Sequence, residues 1–451
     1  MRTAPPATST DLYQLTMAAG HWQAGRQARA SYELFTRRLP KDRAYLLAGG
    51  LEDVIEYLTS FHFTEAEIAY MRDIPSFSAV PINFFDDLAR LRFTGDVWAL
   101  PEGTPVFPDE PFLSISAPLI EAQLVETALL AIVNYPTSVA TKASRMVEAA
   151  EGRSIVEFGA RRAHGTEAAL IAARAAYLGG CVGTSNVEAG MRYGIPVFGT
   201  VAHAWIMAFD DEIEAFRAYQ RTFPDNAILL IDTYDTLRAA GRITEAFAPG
   251  EIAGVRLDSG DLGELARGVR GILDNAGFQS TKILASGDLN EWSIAELLTS
   301  GAPIDSFGVG TDLTTVRDAP ALGVVYKLVE LEENGAVDFK MKFSAGKATW
   351  PGRKQIWRFF GEDGLAAGDV VTLRDEPPPS TGAVPLLEPV IRDGKRVGPP
   401  TSLESLRERT RLAVGHLPSA LKGRTAPPKP YSVEFSEEIR RIASELRAEL
   451  T

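Results

Sequence analysis

Two glycine turns in the second half of the chain, Ser286-Gly287-Asp288 and Gly308-Val309-Gly310-Thr311, each close a short apolar run. Glycine lets backbone N–H groups come close to an anion, so two such turns in succession suit a phosphate, although either alone can be a plain tight turn. Arg161 and Arg162 follow the run VEFG, and Arg256 stands inside GVRLDSGD. A guanidinium fork matches phosphate and carboxylate oxygens, while a lone arginine near a strand end is more often a surface ion-pair partner, worth about 0–1 kcal/mol, than a ligand clamp. Asp258 and Asp261 beside Arg256 supply such partners, and they equally supply hard oxygen ligands for the magnesium that accompanies a polyphosphate. His203 closes VFGTVAH, three residues after Thr200. At a strand terminus an imidazole can act as base or nucleophile, or can be structural. Gly346-Lys347 lacks the first glycine and the following Ser or Thr of a phosphate-binding Walker A loop, and a single cysteine, Cys181, with scattered histidines builds no zinc site.

The elements that must position these residues alternate. Short apolar segments, SIVEFG, CVGTS, VFGTV, AILLIDT, GVRLDS, KILASGD and DSFGVGT, are separated by helical patterns. Continuous apolar strands alternating with helices predict a parallel sheet with right-handed crossovers, open or closed. Nearly every strand ends in polar or glycine-bearing residues that would gather at one rim, where barrel enzymes place their sites, and this favours a barrel. The expected organisation is an N-terminal α+β domain over residues 1–118, completed by part of 340–375. An α/β barrel carrying the site follows over 119–339, and then a C-terminal extension over 340–451. Residues 1–9 read as disordered, Thr10-Asp11 as an N-cap, residues 119–150 as two helices interrupted at Pro136, and KFSAGKATWPGRKQIWRFF as a hairpin turning near Pro351-Gly352.

Bulk properties set the outer limits. A chain of 451 residues with 45% hydrophobic and 23% charged residues is long enough for two or three domains. A net charge of -13 argues against general nucleic-acid binding, which needs a basic face. No apolar run approaches the roughly 18 residues of a membrane span, and the start MRTAPPATSTD lacks the apolar core of a secretory signal. With one cysteine, these features point to the cytoplasm.

Taken in order, TDLYQLTMA, EFGARRAHG, GTSNVEAG, GTVAH, DTYDT, GVRLDSGDL, ASGDL and FGVGTDL resemble the nicotinate phosphoribosyltransferases, and YKLVE and PGRKQIWR extend the match to about residue 358. The resemblance implies a type II phosphoribosyltransferase fold: an irregular α/β barrel, an N-terminal α+β domain and a C-terminal extension. It implies a homodimer with shared active sites, in which Tyr13 from one chain and Phe158 from the other face the pyridine ring. By the same carry-over, Ser185, Thr200 and Arg256 attend nicotinate. Arg161, Ser286, Gly287, Asp288, Gly308, Gly310 and Thr311 hold phosphoribosyl pyrophosphate, and Asp258 serves the sugar or a Mg2+ ion. His203 matches the histidine that ATP phosphorylates, with Asp232 orienting its imidazole. Nicotinamide-using relatives place an aspartate where this chain aligns Ser185, so the acid is the expected substrate. A nicotinamide enzyme predicts an acidic residue there, and a quinolinate enzyme predicts more basic residues and a shorter chain. A non-catalytic relative predicts eroded strand ends.

Overall fold

A computed structural model describes residues 4–344 and 347–450, the last without its side chain. Residues 1–3, expected to be disordered, and Ala345-Gly346, expected within a hairpin, lie outside the described residues. The chain forms two compact units, Met1–Ser138 with Ala321–Thr451, and Val139–Pro320. Residues 119–138 and 321–339, expected with the barrel, therefore group with the N- and C-terminal segments. The reason is strand pairing: Arg29–Thr36 lies antiparallel between Val324–Glu333 on one side and Pro111–Pro118 on the other.

In this first unit, that strand is third in the order of a seven-stranded sheet, and Lys354–Phe360 and Ala366–Leu373 pair in a second sheet of four strands. Tyr32 and Tyr326 stack across the first sheet at 4.8 Å, and the Tyr326 hydroxyl donates to the Ala122 carbonyl at 2.8 Å. Three local expectations need correction. Residues 4–9 are ordered: Ser9 N–H bonds the Pro6 carbonyl, and the Thr8 hydroxyl donates to Glu67 at 2.6 Å. Among the described residues KFSAGKATWPGRKQIWRFF does not form a hairpin about Pro351-Gly352, which leads into Lys354–Phe360 and its pairing with Ala366–Leu373; the hairpin that precedes this segment turns at Asn334-Gly335, between Val324–Glu333 and Ala336–Phe339. Positive φ at both Asn334 and Gly335 is what a tight two-residue hairpin turn demands.

Pro136 does not end a helix. It lies inside a single helix, Glu126–Ala149. A proline there leaves the Ile132 carbonyl without its helical partner. Packing compensates: Gly49 and Gly50 press against this turn so closely that a Cβ on Gly50 would stand 2.5 Å from that carbonyl oxygen, and Gly49 N–H donates to the Thr137 hydroxyl at 3.1 Å.

The second unit is a parallel α/β structure. Its six strands are Ser154–Glu157, Gly183–Thr184, Ile228–Leu230, Gly254–Leu257, Lys282–Ala285 and Ser306–Val309. All pair in parallel, and the last returns to lie beside the first, the cyclic order of a barrel. Closure is not complete. The expected strand VFGTV contributes only a bridge, Thr184 to Val197, and among the described residues no ladder joins that edge to Ile228–Leu230. No described helix is long and apolar enough to cross a membrane.

Candidate active site

Strand periodicity sets the rim. In Gly254–Leu257, Val255 and Leu257 are fully buried on one face, so Arg256 and, two residues on, Asp258 share the other. The register carries that layer sideways. Leu230 and Leu284 both stand level with Arg256, and Leu284 is level with Ser306. Two residues further along each strand, Asp232, Asp258, Ser286 and Gly308 therefore fall in one layer at the carboxyl ends, where ligands of parallel α/β sheets bind.

Arg256 is the hub. Its Nε donates to the Ser286 hydroxyl at 2.9 Å, Nη1 to the Thr200 hydroxyl at 3.0 Å and the Val201 carbonyl at 3.4 Å, and Nη2 to Asp258 Oδ1 at 2.6 Å. Its guanidinium lies 5.6 Å from the centre of the Phe158 ring, within cation–π range. Burial pushes the Asp258 carboxyl up, but the Ser286 hydroxyl, which also donates to it, together with Arg256 and His203, holds it below the usual carboxylate range. One carboxylate oxygen of Asp232 binds the layer together by accepting from Asp258 N–H at 3.0 Å and the Ser259 hydroxyl at 2.6 Å. Its other oxygen is buried and has no hydrogen-bond partner among the described residues.

His203 opens the short helix His203–Met207 and is partly exposed. Its Nε2 stands 4.0 Å from Asp232 Oδ1 and 4.0 Å from Asp258 Oδ2, and its Nδ1 lies 3.1 Å from the Thr233 hydroxyl. The direct hydrogen-bond partner is thus Thr233, which the sequence reading did not single out, although it follows Asp232 in the DTYDT run. Glu157 was also missed. It is buried beneath the Phe158-Gly159 turn, accepting from the Thr184 hydroxyl at 2.5 Å and from Gly159 N–H, and burial pushes its carboxyl up. A charged residue at the end of the apolar run SIVE was its one signal.

The glycine turns are conformationally demanding. Gly287 has φ +92° and Asp288, exposed, has φ +44°, while a Cβ on Gly287 would meet the Asp258 carbonyl oxygen at 2.0 Å. Gly310 precedes the short helix Thr311–Thr315, and a Cβ there would touch the Phe158 carbonyl oxygen at 3.4 Å. Ser185 is partly buried after Gly183–Thr184, its N–H donating to the Glu157 carbonyl at 2.8 Å. Arg161 is exposed on a single 3-10 turn, Ala160–Arg162. Tyr13 belongs to the first unit, on the helix Leu12–Gln23, and is 48% exposed. Among the described residues there is no group of three or more His, Cys, Asp or Glu fit to hold a metal by itself.

Fold and rim together are those of α/β proteins that hold their ligands at the carboxyl ends of parallel strands. Three family models match the chain. They are the N-terminal domain of nicotinate phosphoribosyltransferase over residues 8–134, the nicotinate phosphoribosyltransferase family over 153–341, and the C-terminal domain over 380–443. Nicotinate phosphoribosyltransferase pncB2 of Mycobacterium tuberculosis (strain CDC 1551 / Oshkosh) is 46% identical over 439 residues, covering 96% of this chain and 92% of that one. Its namesake of Bacillus subtilis (strain 168) is 45% identical over 376 residues, covering 81% and 76%. The crystal structure of human nicotinic acid phosphoribosyltransferase superposes with a TM-score of 0.82 at 31% identity, covering 97% of this chain and 99% of that one. The chain belongs to the nicotinate phosphoribosyltransferase family.

Proposed function

We propose that the chain makes nicotinate mononucleotide and pyrophosphate from nicotinate and phosphoribosyl pyrophosphate, in NAD biosynthesis, and couples this to ATP hydrolysis through transient phosphorylation of His203. The observation that carries the reading is the Arg256 hub, a guanidinium fixed by Thr200, Ser286 and Asp258 beside the Phe158 ring, in a chain of this family. An aromatic face next to a fixed cation suits a planar pyridine bearing a carboxylate.

In the transfer step the pyridine nitrogen donates its electron pair to the anomeric carbon as the bond to pyrophosphate breaks. Those electrons leave with the pyrophosphate oxygen. The transition state resembles a sugar cation, so the Asp258 carboxylate, kept ionised by its neighbours, stabilises it. Phe158 orients the ring, and the turns at Gly287 and Gly310 offer N–H groups to phosphate oxygens. The buried free oxygen of Asp232 and Oδ2 of Asp258 fit Mg2+, which is usually held by one or two carboxylates plus substrate phosphates. Bound there, the ion would neutralise charge on the leaving pyrophosphate.

For ATP coupling, an imidazole nitrogen of His203 attacks the γ-phosphorus, ADP leaves, and water later releases phosphate from the phosphohistidine. The Thr233 hydroxyl at Nδ1 would help to fix the ring and its tautomer. We infer a homodimer in which Tyr13 of a second copy covers the outer face of the pyridine.

The purified protein with phosphoribosyl pyrophosphate and magnesium, offered nicotinate, nicotinamide or quinolinate with and without ATP, tests this reading. Nicotinate alone should give mononucleotide, faster with ATP. Product from nicotinamide alone, or none from any base, would overturn it. His203→Ala should abolish nicotinate-stimulated ATP hydrolysis and retain some ATP-independent transfer, whereas unchanged hydrolysis would remove His203 from the coupling step.

A further inference from the structure

Behind the rim, the second unit buries a cluster of charges that the transfer chemistry does not use. Lys142 is 2% exposed, and its Nζ contacts Glu291 Oε2 at 2.6 Å and Asp318 Oδ1 at 3.0 Å. Arg145 Nε donates to the other oxygen of Glu291 at 3.0 Å, and Glu291 is wholly buried. Burial pushes the Glu291 carboxyl up, but Lys142 and Arg145 overcome this and hold it below its usual range.

The placement of these groups matters more than their pairing. Glu291 starts the helix Glu291–Thr299 directly after the Ser286-Gly287-Asp288 turn and its N-cap Asn290. Asp318 closes the segment that begins at Gly310-Thr311 and passes through Val316, a buried β-branched residue at φ +44°. Both segments thus hold a non-glycine residue in the left-handed region, Asp288 and Val316. Such conformations persist where the surroundings over-determine them. One further tie joins the segments, from Asn290 Nδ2 to Asp312 Oδ2 at 2.8 Å. Packed apolar groups of equal volume would stabilise this interior at least as well as buried ions, so stability alone does not account for a buried lysine bonded to both segments.

We infer that Lys142 is a positioning residue for phosphoribosyl pyrophosphate, locking the two glycine turns in one mutual geometry through Glu291 and Asp318. The inference rests on the proposed function. Asp318 is 39% exposed, so D318N loosens the cluster from its solvent-facing side, while K142M/E291Q removes the Lys142–Glu291 pair and leaves buried Arg145 facing only a neutral acceptor.

In initial-rate assays, D318N and K142M/E291Q should each raise KM for phosphoribosyl pyrophosphate about tenfold, since misplacement by about 1 Å is that costly or worse. KM for nicotinate should stay within about twofold of the wild type in both variants; the Tm of D318N should stay close to the wild type, and that of K142M/E291Q should fall because Arg145 loses its carboxylate. K142M alone leaves Glu291 short of a partner and should lower Tm as well. An unchanged KM for phosphoribosyl pyrophosphate in D318N and in the double variant, or an equal rise in both KM values, would overturn the positioning role. A wild-type protein that forms no mononucleotide would instead overturn the function on which the inference rests.

Discussion

A Cβ on Gly308 would stand 2.5 Å from both Cδ2 and Cε2 of the Phe158 ring, so only glycine lets that ring lie against the Ser306–Val309 strand. Gly308 therefore shapes the aromatic wall, over and above any tight turn it makes. Gly308→Ala must displace the ring and disturb the Arg256 guanidinium beside it. The expected result is a rise of about tenfold or more in KM for nicotinate, with a smaller change for phosphoribosyl pyrophosphate. Steady-state kinetics with each substrate varied would check this, and an unaltered nicotinate KM would deny Phe158 a part in binding.

Arg256→Lys keeps the charge and loses the fork. An ammonium cannot reach Ser286, Thr200 and Asp258 in the directions the guanidinium does. Losing charge-assisted hydrogen bonds worth about 1.5–3 kcal/mol each predicts a fall in kcat/KM of about 100-fold. Thermal melts should show a much smaller effect on the fold, and a variant as active as the wild type would remove the hub from the mechanism.

Ser185→Asp places a carboxylate after Gly183–Thr184, beside a strand end whose Glu157 carbonyl already holds the backbone N–H of residue 185 at 2.8 Å. A second anion repels nicotinate and can accept from an amide N–H, so nicotinate use should drop about 100-fold while nicotinamide use rises. Competition assays with both bases read the ratio directly. A ratio that does not move would place Ser185 outside the base pocket.

Stability against pH follows from Asp258. Its carboxyl is buried, which pushes it up, yet the Ser286 hydroxyl and Arg256 bring it below the ordinary value of about 3.9. A depressed folded value means that the contribution is complete above the unfolded pKa and is lost as pH falls through the folded one. Ser286→Ala removes the leading stabilising donor and brings the folded value back towards the unfolded one, so the variant should have the lower Tm near neutral pH but lose less Tm on acidification than the wild type. A Tm gap between variant and wild type that does not narrow as the pH falls from about 7 to about 3 would contradict this.

Much of the strand order could be read from the chain because each parallel strand is a continuous apolar run ending in polar residues, as in GVRLDSGD and KILASGD. VFGTV was misread for the same reason: its composition suits a strand, but among the described residues only Val197 makes a strand bridge, to Thr184, and pairing is not a local property. Pro136 misled in the opposite sense, since the helix it should have broken is held by Gly49 and Gly50 from far away in the chain.

The amino-acid sequence by itself determined which residue types stand at which strand ends, and with them the family resemblance, because both are carried by short runs. Tertiary structure alone decided that Asp232, Asp258, Ser286 and Gly308 share one layer, that the hydroxyl at His203 Nδ1 belongs to Thr233, and that Lys142 reaches both Glu291 and Asp318. These relationships join residues from 22 to 176 positions apart, set by the register of parallel strands and the packing of a helix behind them, and no local pattern encodes either.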